Sequence, residues 1–162
     1  MVPKASRPYM PGYGILDAND GLLPWEWAVE RLTNSRNYWI ATTSADGHPH
    51  CVPVWGIWLD EIFYFSSGAK SRKVRNLDAN PNCVVCPEDG VHAVSLEGVA
   101  EQISDAETIR RFVEAYNPKY LWDLKPETLL DMGPLFAVRP RKVIAVDATP
   151  GQFQLSATRW LF

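Results

Sequence analysis

Between Tyr38 and Ser67 the chain alternates bulky apolar residues with small or polar ones, and it interrupts itself twice with a tight-turn dipeptide. YWIATTS (38–44) runs into ADGH, PHCVPVWGIWL (49–59) runs into Asp60-Glu61, and IFYFSS (62–67) follows. Side chains on a strand alternate faces, so a period of two commits these segments to strands. Turns this short leave no room for a crossover helix, so successive strands must pair antiparallel. The expectation is a three-stranded meander in which 49–59 is one continuous strand, with Trp55 and Trp58 on opposite faces.

The rest of the chain extends the same plan. A helix over 24–35 starts at Pro24, and a second over 71–79 starts at Ser71 and stops before Pro81. NCVVCPE (82–88) and AVSLEGVAEQI (93–103) read as strands, with Gly98 marking a bulge. Ser104-x-x-Glu107 is a capping box for a helix over 104–117, followed by a Pro-punctuated stretch over 118–133. LFAVRPRKVIAVDA (135–148) is a long strand bent at Pro140, and QFQLSATRWLF ends the chain as a strand or extended tail. Six to seven mostly antiparallel strands with short helices at their ends predict a mainly β fold, a small closed barrel. Residues 1–22, rich in Pro and Gly, read as an arm laid over the body or over a partner subunit, and 23–162 as a single domain.

With 19 acidic and 16 basic residues and a net charge of -3, the chain lacks the basic excess of a nucleic-acid binder. No apolar run approaches a membrane span, and the N-terminus lacks the apolar region of a signal peptide. Three cysteines suit a reducing compartment, so the expected location is cytoplasmic. Cys83-Val-Val-Cys86 has a redox or zinc spacing, but on a strand the two thiols point apart. His48-Pro-His50 lacks a third ligand nearby, so no metal site is expected, and His50 reads instead as a pocket-lining polar group. No nucleophile or metalloprotease motif is present, which points to chemistry carried by a cofactor.

Against this background SGAKSRKVRN (67–76) stands out, because it sets Lys70, Arg72, Lys73 and Arg75 around a helix start. A helix N-terminus already carries partial positive charge, so cations there are unfavourable unless an anion joins them. Backbone N–H groups, the Ser71 hydroxyl and these cations make a phosphate cradle. Arg159 in the apolar C-terminal segment is a second basic candidate. Pro53 interrupts the ladder of its strand, freeing neighbouring backbone groups to address a flat heteroaromatic ring.

The order A-T-x-x-x-D-G-x-P-x-x-x-P-V-W, then F-x-x-x-x-x-x-S-R-K-x-x-N-L-x-x-N-P, resembles the pyridoxamine 5′-phosphate oxidase-like, FMN-binding split-barrel family. The likeness is densest over 38–85 and reaches ATRW at the C-terminus. It implies a homodimer with cofactors at the subunit interface, where surplus tryptophans would pack. It also implies that His50, Val52, Pro53, Val54 and Trp55 run beside a flavin or deazaflavin ring. Phe65 and Ser66 would approach the ribityl chain, and Ser71, Arg72 and Lys73 would hold the phosphate. The Arg-Leu-His run of true pyridoxamine phosphate oxidases is absent, so that activity is not expected. The resemblance implies either an oxidoreductase using FMN or coenzyme F-420 on a small organic substrate, or a non-catalytic module storing or sensing flavin or haem. His50 is the candidate proton donor.

Overall fold

Two turn dipeptides set the register of two hairpins, where a three-stranded meander is expected. Gly47 adopts φ 85°, while Asp60 and Glu61 adopt φ 51° and 60°, the left-handed pair that a two-residue hairpin requires. The computed structural model describes residues 2–162, which form nine strands and five helices. The strands are β1 (Ala5–Ser6), β2 (Tyr38–Thr43), β3 (Pro49–Val54), β4 (Ile57–Leu59), β5 (Ile62–Ser66), β6 (Asn82–Pro87), β7 (His92–Ile103), β8 (Leu135–Asp147) and β9 (Thr158–Leu161). The helices are α1 (Trp25–Asn34), α2 (Arg72–Ala79), α3 (Ala106–Tyr120), α4 (Pro126–Met132) and α5 (Phe153–Ser156).

All ladders are antiparallel, and the sheet runs β1-β9-β8-β7-β6-β2-β3. Strand β8 is the fork. Its first part (Leu135–Val138) pairs with β5 and its later part (Lys142–Ala145) with β9, while β7 lies along its other edge. The β7–β8 register shifts between Glu97 and Gly98, passing over Arg141. A Cβ on Gly98 would stand 2.5 Å from the Arg139 carbonyl oxygen, so the bulge predicted there admits only glycine.

The expected closed barrel is corrected to an open, split sheet, because β3 and β4 share no ladder. The strand expected over 49–59 breaks after Val54. A Cβ on Gly56 would lie 2.1 Å from the Phe63 ring, and the Gly56 N–H bonds to the Tyr120 hydroxyl instead of a neighbouring strand. This break, together with β1, raises the strand count to nine.

Two cores result. Tyr38, Ile40, Phe63, Phe65, Leu96 and Trp160 fill the inside of the sheet, with Trp25 of α1 plugging one end. On the other side of β4, β5 and the start of β8, Phe112 and Val113 of α3 and Leu129 of α4 cover Tyr64 and Ala137. The cap of α3 is Asp105, accepting from Thr108 N at 2.9 Å, rather than the expected Ser104. The helix also runs through Pro118 and ends at Leu121, which is left-handed. Proline in the last turn forfeits only one intrahelical bond, which the packing of Tyr120 offsets. The arm is tied down: β1 pairs with β9, and the Arg7 guanidinium donates to the carbonyls of Ala18, Asp20, Leu155 and Ala157.

Candidate functional site

The loop from β5 to α2 is built to hold a ligand at a helix start. Ser71 caps α2 by accepting from Val74 N, and its hydroxyl lies 3.0 Å from that of Ser67. From behind, Ser67 N donates to the Pro134 carbonyl, and Gly133 packs so closely that a Cβ would stand 2.0 Å from the Ser67 carbonyl oxygen. The first turn of α2 holds no acidic residue. Among the described residues, Lys70, Arg72 and Lys73 form no ion pair. Arg72 is exposed, whereas Lys73 is half-buried and burial pushes its pKa down. A half-buried cation without a counter-ion in the first turn of a helix, where N–H groups lack intrahelical partners, is a ready anion site.

Helix α2 lies across β2. Asn76, buried, donates to Thr42 Oγ1 at 2.9 Å, and Thr42 stands opposite His50 on β3. Lys73 precedes Asn76 by one turn and shares its helix face. His50, Val52 and Val54 face inward with their β2 partners Thr42, Ile40 and Tyr38, whereas Pro53 faces outward beside Trp39. Strand β3 is the last in the sheet path, so backbone groups on its free edge have no ladder partner.

The remaining expected site residues fall in different places. Ser66 leads directly into the Ser67–Ser71 loop. The Phe65 side chain is wholly buried against Phe136, at 5.3 Å between ring centroids, so only its backbone can reach a ligand. Trp55 leaves the sheet at the break and stacks on Tyr120 at 4.6 Å and 7°. Arg159 is not brought to this site within one chain. It pairs with Ile144 on β8 and Ser6 on β1, several strands from β3, with its Nε 3.2 Å from Ser6 Oγ.

Arg159 does share the outer sheet face with Trp39. Register partners place Pro53, Trp39 and Cys86 in one row, and Ser95, Ile144 and Arg159 continue it. Trp39 is 46% exposed there. Cys83 and Cys86 point to opposite faces, and burial pushes the Cys83 thiol up to about 12. His48 forms a surface pair with Asp46, and the described residues hold no cluster of metal-ligating side chains. Sequence reading missed Ser67, Thr42 and Asn76. Thr42 and Asn76 stand in the quoted family motif without a role, and a further signal was an asparagine in the middle of a helix, which is unfavourable unless its amide has a partner.

No described helix is long and apolar enough to cross a membrane. Residues 25–147 match the family model described as pyridoxamine 5′-phosphate oxidase. No curated protein matches the chain. Among solved structures, a conserved hypothetical protein from Mycobacterium tuberculosis is 25% identical with a TM-score of 0.64, over 75% of this chain and 82% of that one. An F420 reductase is 24% identical with a TM-score of 0.58, over 70% and 93%. The heme storage protein HutZ from Vibrio cholerae is 20% identical with a TM-score of 0.56, over 72% and 86%. With the family match spanning most of its length, the chain belongs to the pyridoxamine 5′-phosphate oxidase family.

Proposed function

We propose that this protein is an oxidoreductase using FMN or coenzyme F-420 and transferring a hydride between the cofactor and a small organic substrate. The observation that carries this reading is Lys73, a half-buried cation with no ion-pair partner among the described residues, in the first turn of the helix that Ser71 caps. These groups, with Arg72 and the first N–H groups of α2, would hold the cofactor phosphate. The free edge of β3 from His50 to Val54 would run along the ring, and Ser66 would sit between ring and phosphate. A bound flavin or deazaflavin supplies the two-electron chemistry. The chain's part is to orient the ring, exclude water and, at the His50 imidazole, pass a proton to the substrate.

The same reading includes a homodimer. The row from Pro53 through Trp39 to Arg159 lies on a sheet face where Trp39 is exposed. A second copy on it would bring an Arg159 to a site that lacks one. Residues 23–162 would be the cofactor-binding unit and 1–22 its appendage. Likeness to a heme storage protein supports a second reading, a non-catalytic flavin- or haem-binding module.

Titration of the purified protein with FMN, coenzyme F-420 and haemin separates these readings. Tight binding of either flavin, followed by turnover of a reducible acceptor, is the expected result. Binding of haemin alone, or of a flavin without turnover of any acceptor tried, would favour the storage module.

A further inference from the structure

Gly56 interrupts the path from β3 to β4, and its backbone groups leave the sheet entirely. They are not left unpaired, which would be costly for buried peptide groups. The Gly56 N–H donates to the Tyr120 hydroxyl at 2.8 Å, and the Gly56 carbonyl accepts from the Lys119 ammonium at 3.1 Å. Lys119 spends its other protons on the Thr33 carbonyl at 2.9 Å and the Tyr38 hydroxyl at 2.8 Å. The Tyr120 hydroxyl also stands 2.8 Å from the Arg36 carbonyl and 2.9 Å from the Gly56 carbonyl, either of which can take its proton. The Tyr38 hydroxyl closes the network by donating to the Leu32 carbonyl at 2.6 Å. The network joins the end of α1, the start of β2, the strand break and the end of α3.

The same helix end receives Trp55. Its indole lies flat on Tyr120, with Trp122 edge-on at 6.2 Å and the Arg36 guanidinium 5.6 Å from its ring. The break therefore stands between two parts of the proposed cofactor site. His50 to Val54 precede it, and β4 and β5 follow it, delivering Ser66, Ser67 and Ser71. A ring laid along His50 to Val54 needs that strand held in place, and its end is tied down at Gly56.

We infer that Tyr120 and Lys119 are positioning residues that hold the end of the ring-side strand in the place a bound cofactor ring requires. This rests on the cofactor reading above. It makes the end of α3, distant in sequence from every residue of the expected site, a determinant of cofactor affinity.

The test uses the full chain with Tyr120→Phe, which keeps the aromatic stack and removes the hydroxyl, and Lys119→Met. Riboflavin carries the ring without the phosphate, so it reports the ring-side strand alone. Both variants are expected to weaken riboflavin and FMN by a similar factor, roughly tenfold for one lost hydrogen bond to the break. Amide exchange at Trp55 to Ile57 should accelerate by a similar factor, while β6 and β7 keep wild-type protection. A merely structural role would lower the melting temperature without moving riboflavin affinity. Unchanged riboflavin affinity in both variants, or unchanged exchange at the break, overturns the proposal. If wild type binds neither riboflavin, FMN nor coenzyme F-420, the cofactor reading fails, and the exchange data alone decide whether Tyr120 and Lys119 hold the break.

Discussion

Replacing Lys73 by alanine tests the phosphate site where its geometry is most specific. The side chain is half-buried, forms no ion pair among the described residues, and has its pKa pushed down by burial. A charge-assisted hydrogen bond to a phosphate is worth roughly 1.5–3 kcal/mol, so FMN should bind about ten- to a hundredfold more weakly. Linkage turns that into a thermal shift. At a ligand concentration of about 100 wild-type Kd, binding stabilises wild type by ~2.7 kcal/mol and the variant by only ~0.4–1.4 kcal/mol. For a domain of this size the difference corresponds to roughly 3–9 °C less ligand-induced rise in Tm. Without ligand the variant should melt at or slightly above wild type, because the substitution removes a desolvated cation from the positive end of a helix. Calorimetric titration and thermal melts with FMN and riboflavin measure both effects. Riboflavin, lacking the phosphate, should bind the variant as it binds wild type. Wild-type FMN affinity in both Lys73→Ala and Arg72→Ala, or an equal loss for riboflavin, would refute the assignment.

Three further outcomes are expected. Gly98→Ala forces a Cβ to within 2.5 Å of the Arg139 carbonyl oxygen and 2.8 Å of Val138 Cγ1, and should cost about 1–3 kcal/mol, read as a lower urea midpoint. Trp39→Glu places a charge on the exposed sheet face and should convert the proposed dimer to a folded monomer; light scattering that still finds a dimer would move the interface elsewhere. Burial pushes Lys119 down to about 8 from 10.5, so between those values the unfolded chain binds more protons than the folded one. Lys119 should therefore contribute a stability that rises with pH from about 8 toward 10. Above that range Tyr38, raised by burial with Tyr120 and Glu88 adding to the shift, opposes it. Denaturation midpoints across pH 8–10, compared between wild type and Lys119→Met, check the sign, and an identical slope in the two would show that Lys119 is not the source.

The features legible in the amino-acid sequence are those that a few neighbouring residues decide. The Asp46-Gly47 and Asp60-Glu61 turns, the Ser71 cap and the bulge at Gly98 each follow from the backbone preferences of one or two residues, and each stands where the sequence places it. The same holds for the alternation that puts Tyr38, Ile40 and Thr42 inside and Trp39 outside. Local preference fails where it meets a distant partner. PHCVPVWGIWL reads as one strand, yet it breaks at Gly56 because Tyr120, 64 residues away, takes the amide that a ladder would use. Pro118 reads as a helix stop, yet α3 passes it, since Tyr120 must reach the break and pack beneath Trp55. The candidate site divides along the same line. Ser71, Arg72 and Lys73 are visible as charge at a helix start, whereas the Asn76–Thr42 bond that turns this helix toward His50 spans 34 residues and leaves only a faint local sign. The separation of Arg159 from His50 has none, because strand order in a sheet is decided by which edges find each other in space. The break that divides β3 from β4 is thus a property of the packed α3 side chains, which take the hydrogen bonds of one glycine.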